Sequence, residues 1–217
     1  MATFRKDVSV LLISGNEERY FPELKAFADH LIADARIHPS YLEYLSGRMH
    51  TNDPLMDQVD DFVHRVRERQ KLQNLDHHFV LVYHGHGLPA GFCPDGAPTP
   101  YQGLADIIGF DVPFLFINSC CYAGEAIEVF RDNKLLPHRG SVIASSHSYK
   151  PSYGTLFLDE LLDAYRNKQP FRRRKISFLG QADESIQLPE TKKEELKRYV
   201  QHPTRAGLGL DHLLYSQ

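Results

Sequence analysis

The sequence predicts an α/β protein, a three-layer α/β/α sandwich around a mainly parallel central sheet of five or six strands. Three observations predict it. Short apolar runs alternate with amphipathic stretches, the pattern of strands joined by crossover helices. Two runs, Phe79-Val80-Leu81-Val82-Tyr83 and Phe114-Leu115-Phe116-Ile117, are apolar without alternation, as central parallel strands covered on both faces are. The 30 residues between them (84–113) are enough for a parallel crossover.

Taken in order, residues 7–14 form the first candidate strand. From Tyr20 to Arg36 the residues Phe21, Leu24, Phe27, Ala28, Leu31, Ile32 and Ala35 recur at helical spacing. Tyr41 to Leu45 is a weak second strand. Asn52 to Gln70 is the strongest helix, with Asn52 or Asp53 as cap, Pro54 near the first turn, and an apolar stripe of Leu55, Met56, Val59, Phe62, Val63 and Val66. After the first central strand, residues 88–100 read as loop or hairpin from their proline and glycine content. A helix is expected near Tyr101–Ile108, another from Gly124 to Leu135, a strand from Ser141 to Ser145, and a helix from Tyr153 to Arg166. Segments 173–186 and 190–201 are helical candidates, and residues 202–217 are expected to pack as a tail. With no internal repeat or boundary, residues 1–217 read as one domain, with a core over about 7–166 and a C-terminal extension over about 167–217.

The bulk properties exclude several function classes. A net charge of −3 does not mark the surface for nucleic acid or anionic lipid, so neither is an expected partner. The basic run Arg172-Arg173-Arg174-Lys175 reads as a solvated linker or helix end. No segment reaches the roughly 20 apolar residues of a membrane helix. The run Val8–Ile13 lacks the length and cleavage site of a signal peptide. Three cysteines, two of them adjacent, make no disulfide framework, so a reducing, cytoplasmic setting is expected.

Both central strands end in chemically loaded turns, Tyr83-His84-Gly85-His86-Gly87 and Asn118-Ser119-Cys120-Cys121-Tyr122-Ala123-Gly124. Functional groups of open parallel sheets gather beyond the carboxyl ends of the strands, so neighbouring strands would bring His86 and Cys121 into one crevice. A thiolate is a nucleophile, and a nearby imidazole raises its population or takes the proton during attack. Gly87 would let the backbone approach a substrate carbonyl and offer its N–H to an oxyanion. Gly124 would let the chain turn from strand to helix, whose N-terminus favours a thiolate at Cys121. Alternation turns Cys120 away if Cys121 faces the crevice. Cys93, in a Pro/Gly-rich loop, reads as incidental. His84 reads as structural or supporting, and Asp95 or Asp111 could orient an imidazole.

On these residues the chain resembles the caspase-like cysteine peptidases, whose pattern is an apolar strand ending in His-Gly and a second ending in cysteine. Tyr83-His84-Gly85-His86-Gly87 is similar to the Tyr-Ser-Gly-His-Gly of metacaspases, and Cys121-Tyr122-Ala123-Gly124 to the Cys-x-x-Gly of metacaspases, legumains and CHAT peptidases. The resemblance covers residues 7–166 in element order, with its specific motifs in about twelve residues. It implies a caspase-like fold and an endopeptidase acting on protein or peptide substrates through a thioester, without a cofactor or metal. His86 would be the general acid and base, and Cys121 the nucleophile. The N–H groups of Gly87 and Cys121 would form the oxyanion hole, and Ser119, Ser145, Ser146 and His147 would border the substrate. Ser119 stands where family members commonly carry an acidic or amide residue, which leaves specificity open. Asn118-Ser119-Cys120 also matches the order before the nucleophile, so the choice between the two cysteines stays open at this point. Relatives often act in cell death or defence, under a regulatory protein partner or an activating protease; the run 172–175 is a candidate processing site if specificity is basic.

Rival readings are a non-catalytic caspase-like interaction module and, on His84-x-His86, a metal hydrolase. An α/β-hydrolase is disfavoured because no Gly-x-Ser-x-Gly elbow exists in the chain.

Overall fold

Seven consecutive buried residues, Val8–Ser14, form strand β1. Such a run is stable as a strand only where helices cover both faces of its sheet, and that arrangement is the one adopted. The structure is a computed structural model that describes residues 4–47, 55–73, 77–136, 139–148, 152, 154–169, 176–177, 200–201, 204–208 and 210–215. Strands β2 (Leu42–Ser46) and β3 (His78–His84) follow β1. A small antiparallel sheet of β4 (His86–Leu88), β5 (Gly91–Cys93) and β6 (Thr99–Pro100) comes next, then β7 (Phe114–Ser119) and β8 (Gly140–Ala144). Short strands β9 (Ile176–Ser177) and β10 (Val200–Gln201) pair with each other, and β11 (Thr204–Gly207) returns to the main sheet.

The main sheet has six strands in the order β11-β8-β7-β3-β1-β2. All neighbours are parallel except β11, which runs antiparallel to β8. The fold class is therefore the α/β one expected, with a mostly parallel sheet between helices.

Alternate residues of each strand feed two separate cores. On one face Leu11, Ile13, Leu81, Tyr83, Phe114 and Phe116 pack under α2 (Leu55–Gln73), α3 (Tyr101–Ile108) and α4 (Glu125–Asp132). On the other, Val10, Leu12, Val80, Val82, Leu115 and Ile117 pack under α1 (Phe21–Ala33) and α5 (Gly154–Arg166). Each fully buried Leu, Ile or Phe contributes roughly 1.5–3 kcal/mol by leaving water.

Several expectations are corrected. The helix expected over 20–36 ends at Ala33, and Arg36 takes a left-handed φ of 60°. The strongest helix runs to Gln73, while its proposed caps at 52–54 lie outside the described residues. The helix after β7 is shorter than 124–135. Residues 88–100, expected as loop or hairpin, do form hairpins, β5 pairing antiparallel with both β4 and β6, but the small sheet begins earlier, at His86 itself. Of the helical candidates 173–186 and 190–201, the described residues 176–177 and 200–201 are strand; the remainder, with the basic run 172–175, lie outside the described residues. The C-terminal stretch is more than a tail. It supplies edge strand β11, and Leu210, Leu213 and Leu214 are buried in the α1/α5 core.

Candidate active site

The register of the sheet decides which turns meet. Ser14, His84 and Ser119 lie side by side across β1, β3 and β7, and Ala144 of β8 lies beside Asn118. Four strands thus end level, and the segments that follow them gather at one edge, as in other parallel sheets.

The end of β3 and the start of β4 carry two histidines of opposite character. His84 is wholly buried, shares a 3.0 Å hydrogen bond between its Nδ1 and Ser119 Oγ, and is held neutral by burial, which pushes its pKa down to about 4. His86 is exposed. Its Nε2 donates to the Glu17 carboxylate, and Arg19 Nη2 lies 3.4 Å from the same nitrogen. The His86 carbonyl accepts a 2.7 Å hydrogen bond from the buried Tyr83 hydroxyl, which pins the backbone of the turn. Tyr20 packs edge-on against both rings, at 5.0 Å from His84 and 5.5 Å from His86. Burial, and to a smaller extent charges that include the Cys121 sulfur, raise the Tyr20 phenol above its usual range.

After β7 two adjacent cysteines diverge in the same way. Cys120 is buried, donates from Sγ to Asn118 Oδ1 at 3.2 Å, and lies 3.5 Å from the Tyr101 hydroxyl. Burial raises its pKa far above the ordinary thiol range, so it stays protonated. Asn118 Nδ2 in turn donates to the Tyr101 hydroxyl (2.9 Å) and the Ala123 carbonyl (3.1 Å), closing a buried network beneath the turn. Cys121 is only half-buried. Its sulfur accepts from the Ser152 N–H at 3.3 Å and donates to the Ser152 carbonyl at 3.4 Å. Among the described residues no hydrogen bond joins it to His86.

The two turns nonetheless touch. A Cβ added to Gly87 would lie 2.2 Å from the Cys121 carbonyl oxygen and 2.6 Å from Cys120 Sγ, so only glycine admits this approach. Gly124 is needed for space rather than for turning. Its φ of −64° is ordinary, but a Cβ there would lie 2.6 Å from Ser148 N; the left-handed residue of the turn is Tyr122, at φ 56°.

Three of the other expected site residues lie inside the protein. Ser119, Ser145 and Ser146 are buried, and their side chains serve the turn rather than an open surface. Ser145 and Ser146 donate to the Cys120 carbonyl at 2.8 and 3.4 Å, and Ser146 Oγ accepts from the Ala123 N–H at 3.2 Å. A turn forced inward leaves backbone groups to satisfy, and these hydroxyls satisfy them. His147, half-buried, lines a cavity of about 160 Å³ with Gly124, Arg131, Ser148 and Arg205. Neither Asp95 nor Asp111 orients an imidazole. Asp95 accepts from the Ala97 N–H, and Asp111 faces Arg67. No sequence motif marks Glu17; its one signal is position, since it follows the strand that pairs with β3. Cys93 is buried on β5, where its register partner is His86. His84 is committed to Ser119 inside the protein, and no group of three or more metal-ligating side chains occurs among the described residues. Nor is any described helix long and apolar enough to cross a membrane.

No protein-family model matches the chain, and no curated protein matches it. Among similar solved structures is Raptor from Chaetomium thermophilum, 13% identical at a TM-score of 0.46, a match covering 75% of this chain and 18% of that one. A secreted C11 cysteine protease from Bacteroides thetaiotaomicron, solved with an irreversible peptide inhibitor, is 13% identical at a TM-score of 0.45; the match covers 74% of this chain and 54% of that one. The chain therefore spans less than a fifth of the first and about half of the second. The Geobacter sulfurreducens protein GSU0716 is 15% identical at a TM-score of 0.50, over 97% of both chains. At these identities the likeness is one of fold.

Proposed function

We propose that the chain is a cysteine endopeptidase that hydrolyses peptide bonds of protein substrates, with Cys121 as nucleophile and His86 as general acid and base. The observation that carries this reading is the seating of Gly87 on the Cys120–Cys121 segment, which puts an exposed imidazole and the more accessible of two thiols on touching turns. In this reading Cys121 attacks the scissile carbonyl while its proton passes to His86. Backbone N–H groups of Gly87 and Cys121 hold the oxyanion. Collapse breaks the C–N bond, His86 protonates the departing amine, and a thioester remains. Water, deprotonated by His86, then hydrolyses the thioester and restores the thiol. Substrate binding replaces the two Ser152 contacts on the sulfur.

One observation favours a second reading, a non-catalytic interaction module. The hydrogen bonds of Cys121 go to Ser152 and not to His86. Incubation with a mixed-sequence peptide library, read by mass spectrometry, separates the two. The peptidase reading expects cleavage with a defined preference before the scissile bond, lost in Cys121→Ala while the circular dichroism spectrum is unchanged. A library left whole by the wild-type chain favours the module.

A further inference from the structure

We propose that Glu17 is a positioning residue for His86, making the site a Glu17–His86–Cys121 relay rather than a pair; the role rests on the peptidase reading. Glu17 lies on the segment after β1, the strand beside β3, so its carboxylate and the His86 ring arrive at the same sheet edge from adjacent strands. One oxygen, Oε1, accepts from His86 Nε2, and the other, Oε2, is held by Arg19 Nε at 2.6 Å. Arg19 is itself anchored by its hydrogen bond to the Tyr20 hydroxyl (3.1 Å) and by lying over the Tyr20 ring, 5.0 Å from its centroid. The carboxylate is thus fixed at both ends.

The consequence is chemical. A neutral imidazole carries one proton, and the nitrogen that donates to an acceptor keeps it. With Nε2–H given to Glu17, Nδ1 carries the lone pair and serves as the base toward the Cys121 turn. Once the thiol proton has moved to Nδ1, the imidazolium stands against a carboxylate, which stabilises the charge that develops. The hydrogen bond from His86, followed by the Arg19 charge, holds the Glu17 carboxyl below its usual range, so it is ionised at neutral pH. The groups facing His86 are Glu17, Arg19, the Tyr20 ring and, across β4 and β5, Cys93. Glu17 is the acidic group among them, and the Arg19 cation is already paired with it. Asp95 and Asp111, the acids the sequence offered for this task, are engaged elsewhere.

The test uses the full chain and two readouts that need no known substrate. The first is the rate at which iodoacetamide alkylates Cys121 at pH 7, resolved by peptide mass spectrometry and compared with glutathione. The second is the His86 tautomer, read from two-bond ¹⁵N–¹H correlation spectra. Expected for Glu17→Ala is alkylation slower by about tenfold or more, with loss of the pure Nε2–H tautomer. Glu17→Gln, which keeps an acceptor without the charge, falls between Ala and wild type. Wild-type alkylation well above glutathione, with Glu17→Ala equal to wild type in rate and tautomer, overturns the role of Glu17 and leaves the Cys–His site standing. Wild-type alkylation no faster than glutathione overturns the peptidase site and this role with it.

Discussion

Two pairs of chemically matched residues lie within a few positions of each other and have opposite fates. The inner pair, His84 and Cys120, is sealed beneath the sheet edge. Burial holds the imidazole neutral and the thiol protonated, with His84 Nδ1 bonded to Ser119 and Cys120 Sγ to Asn118. The outer pair, His86 and Cys121, emerges on the same turns into water, the first facing Glu17 and the second Ser152. Residue type therefore decides nothing here. Which side of the turn a group occupies decides whether it can exchange protons with its surroundings, because desolvation penalises the charged form. The inner pair is framework for the outer one. The network of Asn118, Tyr101, Ser145 and Ser146 fixes the backbone from which Cys121 projects.

The sharpest way to break this contrast is to compare the cysteines directly. Brief treatment of the native chain with iodoacetamide is expected to label Cys121 faster than Cys120 or Cys93 by about two orders of magnitude, because the buried thiols react only through opening of the fold. Denaturant should erase the difference. Equal labelling of Cys120 and Cys121 in the native state would dissolve the division between inner and outer groups.

The fold was legible because double-faced burial leaves uninterrupted apolar runs, and β3 and β7 carry them. Helix α3 fell where expected, at Tyr101–Ile108, because its apolar residues recur at helical spacing. Strand β11 was illegible. Thr204–Gly207 has no strand-like side-chain pattern, and it is a strand because its backbone pairs with β8. Within the site, the His-Gly and Cys turns could be read because they follow the runs that define central strands. Glu17 could not be told from Glu18, since only the folded path of the segment after β1 brings the former to His86. The surroundings of Ser119, Ser145 and Ser146 are hidden from the sequence for a related reason. Hydroxyls at strand ends suggest a substrate-facing rim, whereas inward backbone groups, above all the Cys120 carbonyl, needed donors first.

A smaller effect is expected from disturbing the contact between the turns. Gly87→Ala forces a methyl group against the Cys121 carbonyl and Cys120 Sγ, and should cost about 1–3 kcal/mol in denaturant unfolding. Gly103→Ala provides the control. It lies within α3, an added Cβ would meet nothing closer than Met56 Cε at 3.7 Å, and helix propensity predicts stabilisation of about 0.5–1 kcal/mol. Opposite signs at the two glycines would show that close packing of the two turns, and not glycine replacement as such, carries the cost. A Gly87→Ala chain as stable as wild type would mean that the turns separate freely.

The smallest expected effect concerns His84. Its folded pKa of about 4 lies below the ordinary 6.5, so between those values the unfolded chain binds more protons than the folded one. Stability from this group is therefore complete above about pH 6.5 and declines as the pH falls toward 4, where the difference saturates. Between pH 7 and 5.5 the loss should be about 1 kcal/mol. His77, also pushed down to about 4 by burial, adds a loss of the same sign. The diagnostic quantity is thus the difference in slope between wild type and His84→Gln, measured by denaturant midpoints across that range. The variant is expected to be less stable at pH 7, having lost the packed ring, yet less sensitive to acid. If its slope equals that of wild type, His84 is solvated in the folded chain, and the inner side of the turn is not the sealed region from which the outer pair is set apart.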